Sequence, residues 1–368
     1  IKEETVPGHD YAYNTPLEDL DVSNPHLWPS QEMWPVFERM RDEDPLHYCA
    51  DGWTSEGRAD KDEPIGPYWS VTRYDDIMAI DTDHKRFSSE PAIVLPNPAE
   101  DFVLPMFIAM DQPKHDVQRK TVAPIVSPMS LAEMSTLIRE RTSNLLDTLP
   151  INEEFDWVDT VSIELTTMML ATLFDFPFED RRKLTRWSDV ATAGPETGLV
   201  ESEDQRRAEL MECVEYFMGL WQQRVGKDGH DLITMLANGE ETKDMDTMEY
   251  LGNLILLIVG GNDTTRNSMS ASIYGSNLFP AEWEKVRANR ELIPNAVAEI
   301  IRWQTPLAYM RRTALEDVEM HGKTIKKGDK VAMWYVSGNR DERKFENPNA
   351  LIFDRPNARN HISFGFGI

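Results

Sequence analysis

A strongly apolar segment in the second half of the sequence, residues 251–265, contains polar residues that could do chemistry. Two adjacent glycines, Gly260 and Gly261, are followed by Asp263 and Thr264 within a helical pattern of apolar residues. Each glycine in a helix interior costs about 1 kcal/mol relative to alanine, and buried polar groups are costly unless they find partners. We expect a helix that accepts both costs to be kinked or widened around a ligand. The alternative, in which Asp263 caps a new helix, disagrees with the helical pattern that continues after it.

Two charged pairs could hold an acidic ligand or brace a core. His115 and Arg119 lie one turn apart at the start of a predicted helix, so they share a face. Arginine and protonated histidine suit carboxylates through charge-assisted hydrogen bonds. Glu299 and Arg302 have the spacing of an ion pair on a single helix face. Taken singly, an exposed histidine and a solvated Glu-x-x-Arg are the more usual interpretations, and the same Glu-x-x-Arg spacing recurs at four other places in this sequence.

The order of these motifs and the last residues of the sequence resemble the cytochromes P450. The residues from His361 to Gly367 are similar to the opening of the haem-binding loop Phe-Gly-x-Gly-x-His-x-Cys. In that family the acid and the threonine of the central helix deliver protons during oxygen activation. The resemblance therefore implies this catalytic role for Asp263 and Thr264. It also implies that Gly260 and Gly261 make room for dioxygen beside the haem.

The same resemblance implies haem b, iron protoporphyrin IX, as the cofactor. Its propionates would be bound by His115, Arg119, Arg312 and His361, with Arg311 as the alternative to Arg312, and Phe364 would open the haem loop. Glu299, Arg302 and Arg355 would form the structural cluster behind the haem. The sequence stops before the axial cysteine, which we expect just beyond Ile368, because Cys49 and Cys213 stand in other contexts. As written the chain lacks the thiolate, either because the sequence is incomplete or because this protein has lost the ligand.

The elements that must position these residues are mostly helical. Residues 1–28 are predicted as an irregular N-terminal arm, and 29–368 as a single cytochrome P450 domain, incomplete at its C-terminus. Ser30 is expected to cap a helix that ends near Asp44. Further helices are predicted near 75–81, 130–148, 158–174, 179–191, 204–225 and 246–278. Short strands are predicted at 46–49, 68–74, 309–314, 318–325 and 330–335. The fold class is therefore mainly α with small β-sheets.

Two irregular segments could contact an apolar substrate. Residues 91–112 are rich in large apolar residues, but their prolines forbid a continuous helix. Because loops normally face water, we expect this one to cover an apolar pocket. A second break, near 192–202, contains Gly194-Pro195. We expect both segments to line or gate the pocket.

The overall charge and the absence of targeting signals exclude several classes of function. The chain has 368 residues and a net charge of −26, from 38 basic and 64 acidic residues. Such acidity disfavours nucleic acid and anionic lipid as partners. Two cysteines do not make a disulfide framework. No apolar run is long enough for a transmembrane segment, and no signal peptide is evident, so we expect a cytoplasmic protein.

A finer resemblance suggests the substrate. Residues 260–269 and 326–335 are similar to the soluble bacterial branch that hydroxylates alkanes and fatty acids at the terminal carbon. This implies a haem-thiolate monooxygenase that uses dioxygen and electrons from a ferredoxin and its NAD(P)H-dependent ferredoxin reductase. Two alternatives remain open. One is a P450 hydroxylase of a terpene, steroid or secondary metabolite, and the other is a non-catalytic binder of haem or of a hydrophobic ligand if the cysteine is truly absent.

Overall fold

The fold is known from a computed structural model, which describes residues 8–54, 57–58, 65–193 and 197–367. The chain divides into two compact units. The first unit combines Ile1–Phe102 with Tyr274–Ile368, and the second is Val103–Ile273. Every strand formed by the described residues belongs to the first unit, whereas the second unit is helical.

Helices account for most of the regular structure. In chain order they are α1 His9–Asn14, α2 Met33–Glu43, α3 Tyr74–Asp81, α4 Lys114–Val122, α5 Pro128–Asp147, α6 Glu164–Phe174, α7 Arg182–Thr192, α8 Glu203–Arg224, α9 Leu232–Asn238, α10 Thr247–Leu278, α11 Pro280–Ala288, α12 Ile293–Gln304 and α13 Tyr335–Gly338. A π-helical segment, Val158–Ile163, leads into α6. Helices α5, α8 and α9 are each preceded by an N-cap residue whose side chain accepts a hydrogen bond from the backbone N–H three residues later. These N-cap residues are Ser127, Ser202 and Asp231.

The strands of the first unit form one principal sheet and two hairpins. They are β1 Leu46–Cys49, β2 Trp53–Thr54, β3 Gly57–Arg58, β4 Tyr68–Val71, β5 Phe87–Ser88, β6 Met310–Ala314, β7 Val318–Met320, β8 Lys323–Ile325 and β9 Lys330–Met333. The principal sheet has the order β1-β4-β9-β6-β5. Among the strands that the described residues form, only β4 and β9 pair in parallel, with Trp69 opposite Val331. The sheet thus joins strands from both ends of the chain, and β6 carries Arg312.

The predicted fold class, mainly α with small β-sheets, is confirmed, and most predicted elements lie within a few residues of the observed ones. The segment 318–325, for which the sequence also predicts a turn at His321-Gly322, is a hairpin, and both turn residues have positive φ angles, 50° and 72°. The strand predicted at 330–335 ends at Met333, where the chain turns into α13. The predicted single-domain boundary at residue 29 stays a prediction.

The N-terminal arm is more ordered than its sequence indicates. The prediction of an irregular arm is wrong for its described part, which contains α1 and two 3-10 turns, Leu17–Asp19 and Pro25–Leu27. Its apolar side chains are scattered without a period but join one core, where Leu20 and Val22 are fully buried with Phe37 of α2. The predicted cap at Ser30 is also wrong, because α2 begins only at Met33.

One stretch among the described residues, 114–147, is long and apolar enough by length and composition to cross a membrane, and little of it is buried. A single such stretch is weak evidence for a membrane span, and this one is interrupted. Ser127, between a 3-10 turn and α5, has extended backbone with ψ 152°. The sequence-based expectation of no transmembrane segment therefore stays a prediction.

Candidate active site

The central helix α10 runs without a break through the segment that carries the glycines, the acid and the threonine. Asp263 lies within this helix and is not a helix cap, whereas the expected kink or widening around a ligand stays a prediction. The Thr264 hydroxyl donates a hydrogen bond of 2.7 Å to the carbonyl of Gly260, one turn earlier. This hydrogen bond fixes the orientation of the Thr264 hydroxyl on the side of the helix where Gly260 lies.

The two adjacent glycines have different surroundings. A Cβ added at Gly260 would meet no atom within 4 Å, so the helix surface there is open. A Cβ added at Gly261 would lie 2.6 Å from Cδ2 of Leu170, on α6. Gly261 therefore allows α6 to pack against α10, while Gly260 leaves free space. Their predicted role in admitting dioxygen stays a prediction, and the open surface favours Gly260 for it.

Asp263 lies in a polar cluster within the second unit. Its Oδ1 accepts hydrogen bonds from Ser188 (3.0 Å), Asn262 (2.9 Å) and Arg266 (2.9 Å). The Arg266 guanidinium also pairs with Asp189 at 3.0 Å. Burial raises the pKa of the Asp263 carboxyl above its usual range, and Arg266 opposes this only in part. A carboxyl that holds a proton more tightly than usual is suited to passing one on.

The predicted propionate ligands His115 and Arg119 both lie on α4 but differ in exposure. His115 is buried, and its Nδ1 lies 2.8 Å from Oδ1 of Asp116. Arg119 is exposed, and its guanidinium has no partner within the described part of the chain. Arg119 is therefore a cation available for a carboxylate, as the prediction requires, whereas His115 is already engaged with a neighbouring acid.

Arg312 is bound by an acid that sequence analysis did not identify. Its guanidinium donates to Oδ1 of Asp81 at 2.6 Å. Oδ2 of the same carboxylate accepts from the Tyr335 hydroxyl at 2.9 Å and from the Phe366 N–H at 2.6 Å. Asp81 thus joins a predicted propionate ligand to the predicted haem loop within the first unit. No sequence signal marks Asp81, which is one acid among many at the end of a short helix.

Arg311, the alternative propionate ligand, binds the backbone and a side chain of the apolar loop instead. Its guanidinium donates to the carbonyls of Val94 (3.4 Å) and Leu95 (3.1 Å) and to Oδ1 of Asn97 (2.9 Å). Side chains alternate along a strand, so Arg311 and Arg312 leave β6 on opposite faces. Arg311 therefore holds the start of the apolar loop, and Arg312 is the better candidate for a propionate.

His361 and Phe364 lie near the end of the described chain. Nδ1 of His361 accepts a hydrogen bond of 3.3 Å from the Ser363 N–H, and its ring lies 5.8 Å from that of Phe364. Burial, followed by the nearby Arg302 charge, lowers the pKa of the His361 imidazole. A neutral ring would bind a propionate by a hydrogen bond rather than as a cation.

The predicted structural cluster is brought together in the first unit. Arg302 forms two bonds of 2.7 Å to the Glu299 carboxylate, and Nε of Arg355 lies 3.0 Å from both of its oxygens. All three side chains are at least 97% buried. The other N–H groups of the two guanidinium groups donate to backbone carbonyls, including those of Asn339 and Ala350. A buried charge cluster is stable only when its donors and acceptors have hydrogen-bond partners, as they do here.

Each unit, taken by itself, carries groups of the kind that an apolar cofactor with carboxylates requires. In the second unit, the open surface at Gly260 lies within an apolar helix, and Arg119 offers an unpaired cation on α4. In the first unit, Arg312 sits beside the glycine-rich segment that ends the described chain. A mainly helical fold with an acid and a threonine after two glycines of a long helix, and with a buried Glu-x-x-Arg, is the class of the haem monooxygenases.

Comparison with known proteins places the chain within this class. The family described as cytochrome P450 matches residues 282–368. Linalool 8-monooxygenase of Pseudomonas putida is 33% identical over 363 residues, which are 95% of this chain and 86% of that protein. A solved cytochrome P450-153 from Novosphingobium aromaticivorans is 45% identical with a TM-score of 0.85, covering 96% of this chain and 86% of its own. CYP153D17 from Sphingomonas sp. PAMC 26605 is 50% identical with a TM-score of 0.85, covering 94% and 85%.

The chain belongs to the cytochrome P450 family. It is an enzyme, a monooxygenase with haem b as its cofactor, and it acts with dioxygen, a substrate and redox partners. The bound haem supplies the chemistry that activates dioxygen for insertion into a C–H bond.

We expect the stability that Asp81 contributes to fall as the pH rises. Burial raises the pKa of the Asp81 carboxyl above its ordinary value of 3.8, although Arg312 lowers it in part. The folded protein therefore binds this proton more tightly than the unfolded chain, and ionisation above the ordinary value costs stability. Urea unfolding of the wild type and Asp81→Asn from about pH 4 upward should show the free energy of unfolding of the wild type falling relative to that of the variant, by up to about 1.4 kcal/mol per pH unit while the carboxyl ionises. A wild-type free energy of unfolding that stays constant or rises relative to that of Asp81→Asn as the pH rises would contradict this assignment.

Proposed function

We propose that this P450 hydroxylates the terminal carbon of medium-chain alkanes or fatty acids. The observation that carries the proposal is the resemblance of residues 260–269 and 326–335 to the bacterial branch with that activity. The 45–50% identity to two solved CYP153 proteins supports it. Electrons would come from a ferredoxin and its NAD(P)H-dependent reductase, and the enzyme would work in the cytoplasm. A terpene substrate is the second candidate, favoured by the linalool 8-monooxygenase relative.

The apolar loop supports an apolar substrate. Leu95, Phe107 and Met110 are buried, whereas Val94 and Val103 are 48% and 43% exposed. The buried side chains therefore anchor the loop, and the exposed valines leave apolar surface that a substrate could contact. We infer that this loop lines the substrate pocket. The proposed second gate near 192–202 falls partly on residues 194–196, which lie outside the described residues.

The polar residues of α10 would manage protons in this reaction. The Asp263 carboxyl, with its raised pKa, would release and regain a proton, and Arg266 and Ser188 would keep it oriented. The Thr264 hydroxyl, held by the Gly260 carbonyl, would present its oxygen beside the open surface of the helix. Neither residue needs to touch the apolar chain of the substrate, so substrate affinity and proton transfer should be separable.

We expect the haem-loaded full-length protein to bind octane and medium-chain fatty acids more tightly than linalool. An apolar pocket discriminates one methylene by only about 1–3 kcal/mol, so neighbouring chain lengths should also bind. Titration of the substrate-induced spin-state shift of the haem measures these affinities, and product analysis identifies the hydroxylated carbon.

Three results would count against the proposal. Tighter binding and faster turnover of linalool or a steroid would favour the alternative class of hydroxylase. A sharp preference for one chain length would contradict the adaptable apolar pocket. Ligand binding without any hydroxylated product, when ferredoxin and reductase supply electrons, would favour the non-catalytic binder.

A further inference from the structure

Asn253 is a polar residue in the apolar part of α10 to which neither the motif analysis nor the proposed function assigns a role. It is fully buried. Its Oδ1 accepts a hydrogen bond of 2.9 Å from the backbone N–H of Phe107, and its Nδ2 donates one of 3.1 Å to Oε1 of Gln118. A buried amide is costly unless both ends are satisfied. Asn253 meets that condition only because two separate segments contact it.

The residue before Asn253 brings the apolar loop against the helix. A Cβ added at Gly252 would lie 2.0 Å from the carbonyl oxygen of Pro105. No other residue type fits there unless the loop moves away. Gly252 and Asn253 therefore hold the stretch from Pro105 to Phe107 directly on the surface of α10, by close approach and by a hydrogen bond respectively.

Hydrogen bonds also join Asn253 to α4 through Gln118. The Gln118 side chain also donates to the Glu249 carboxylate, which pairs with Nζ of Lys114 at 2.9 Å. Lys114 and Gln118 are one turn apart on α4, and Glu249 and Asn253 are one turn apart on α10. These two turns are thus joined by a continuous polar chain inside the second unit. Helix α4 carries two of the predicted propionate ligands, His115 and Arg119, and α10 carries the acid and the threonine.

The spacing along α10 links this chain to the candidate active site. Asn253 precedes Gly260 by two turns, or about 10 Å at 1.5 Å per residue. The Phe107 turn is therefore fixed at a defined distance along the helix that presents Asp263 and Thr264. If the apolar loop lines the pocket, a shift of this turn moves the wall of the pocket relative to the residues that deliver protons.

We propose that Asn253 is a positioning residue for substrate selectivity. It fixes the Phe107 turn on α10 and thereby sets which carbon of the substrate is oxidised. The proposal rests on the proposed function, because it requires that the apolar loop contacts the substrate. Asn253 acts through the loop and touches neither the substrate nor the cofactor.

The test compares Asn253→Leu with Gln118→Leu in the haem-loaded full-length protein. Asn253→Leu removes both hydrogen bonds, whereas Gln118→Leu keeps the bond between Asn253 and the Phe107 N–H and removes the link to α4. We expect amide hydrogen exchange in residues 106–110 to become at least about tenfold faster in Asn253→Leu. It should stay near the wild-type rate in Gln118→Leu. The ratio of terminal to subterminal products should fall severalfold in Asn253→Leu only.

Gly252→Ala provides a second variant in case Asn253→Leu does not fold. Alanine gains about 1 kcal/mol of helix propensity over glycine, but its Cβ must displace the backbone carbonyl of Pro105. A cooperative urea unfolding transition and a normal haem content show that the variant folds before its products are compared. The variant should shift the product ratio in the same direction as Asn253→Leu. A product ratio that stays at the wild-type value in the folded variants, while hydrogen exchange accelerates, would overturn the proposal, because Asn253 would then be purely structural.

The exchange measurement separates failure of this inference from failure of the proposed function. It needs no substrate, so accelerated exchange in Asn253→Leu would support the loop contact even if alkanes and fatty acids proved not to be substrates. The product ratio would then be measured on the substrate that the wild type accepts. Unchanged exchange in Asn253→Leu would contradict the positioning role whatever the substrate is.

Discussion

Glu299→Gln should lower the free energy of unfolding by about 3–5 kcal/mol, the cost of leaving buried charges without their partner. Glu299 is the sole carboxylate that contacts either Arg302 or Arg355 among the described residues, and both guanidinium groups are almost completely buried. A neutral amide keeps the size of the side chain but not its charge. Urea unfolding of the variant and the wild type measures the difference, and the haem content of the purified proteins gives an independent check.

Glu284→Gln is the matched control. Glu284 and Arg287 have the same Glu-x-x-Arg spacing and a 2.9 Å ion pair, but their side chains are 67% and 74% exposed. Surface substitutions of this kind change stability by no more than about 0.5 kcal/mol. Equal losses for the two variants would show that burial of Glu299 is not what makes its pair strong.

Thr264→Ala should leave substrate affinity unchanged but reduce product formation by about 10²-fold or more, the range typical for loss of a proton-transfer group. The hydroxyl that binds the Gly260 carbonyl would be lost, while the apolar surroundings remain. NAD(P)H consumption should continue, with its reducing equivalents diverted to hydrogen peroxide. The ratio of product to NAD(P)H consumed, together with a peroxide assay, measures this uncoupling.

Thr265→Ala serves as the control because Thr265 is the adjacent threonine and is exposed. It removes the same atoms from the same helix, so it should couple NAD(P)H use to product as the wild type does. Unchanged coupling in Thr264→Ala, or equal uncoupling in both variants, would contradict the role assigned to Thr264.

Features that depend on neighbours along one helix were predictable from the sequence. The apolar period of α10, the spacing of Glu299 and Arg302, and the helix that carries His115 and Arg119 all follow from local order. The contacts of Asp81 did not, because Arg312 and Phe366 are 231 and 285 residues away along the chain. No local pattern indicates which distant donors a buried acid will meet.

The two central glycines illustrate the same limit. Gly260 and Gly261 are equivalent in the sequence, and both were expected to make room for dioxygen. Their difference arises from tertiary packing, because only Gly261 meets Leu170 of a neighbouring helix. The partners of the polar groups on α10 show the same limit, because Asp263 binds Ser188 of another helix while Thr264 binds the carbonyl one turn back.

The cluster behind Glu299 has a consequence for sequence variation. Arg302 and Arg355 bind the segment 346–350 through backbone carbonyls, those of Glu346, Asn347, Pro348 and Ala350. A carbonyl oxygen is present whatever the residue type, and the side chains of residues 346, 347 and 349 are exposed. The path of this stretch therefore depends little on its side chains, except at Asn347, whose positive φ of 47° favours asparagine or glycine, and at Asn349, whose Oδ1 accepts from Arg340 at 3.1 Å. The two arginines cannot be replaced by lysine, because lysine offers neither their planar fork nor enough donors to serve the carboxylate and the carbonyls together.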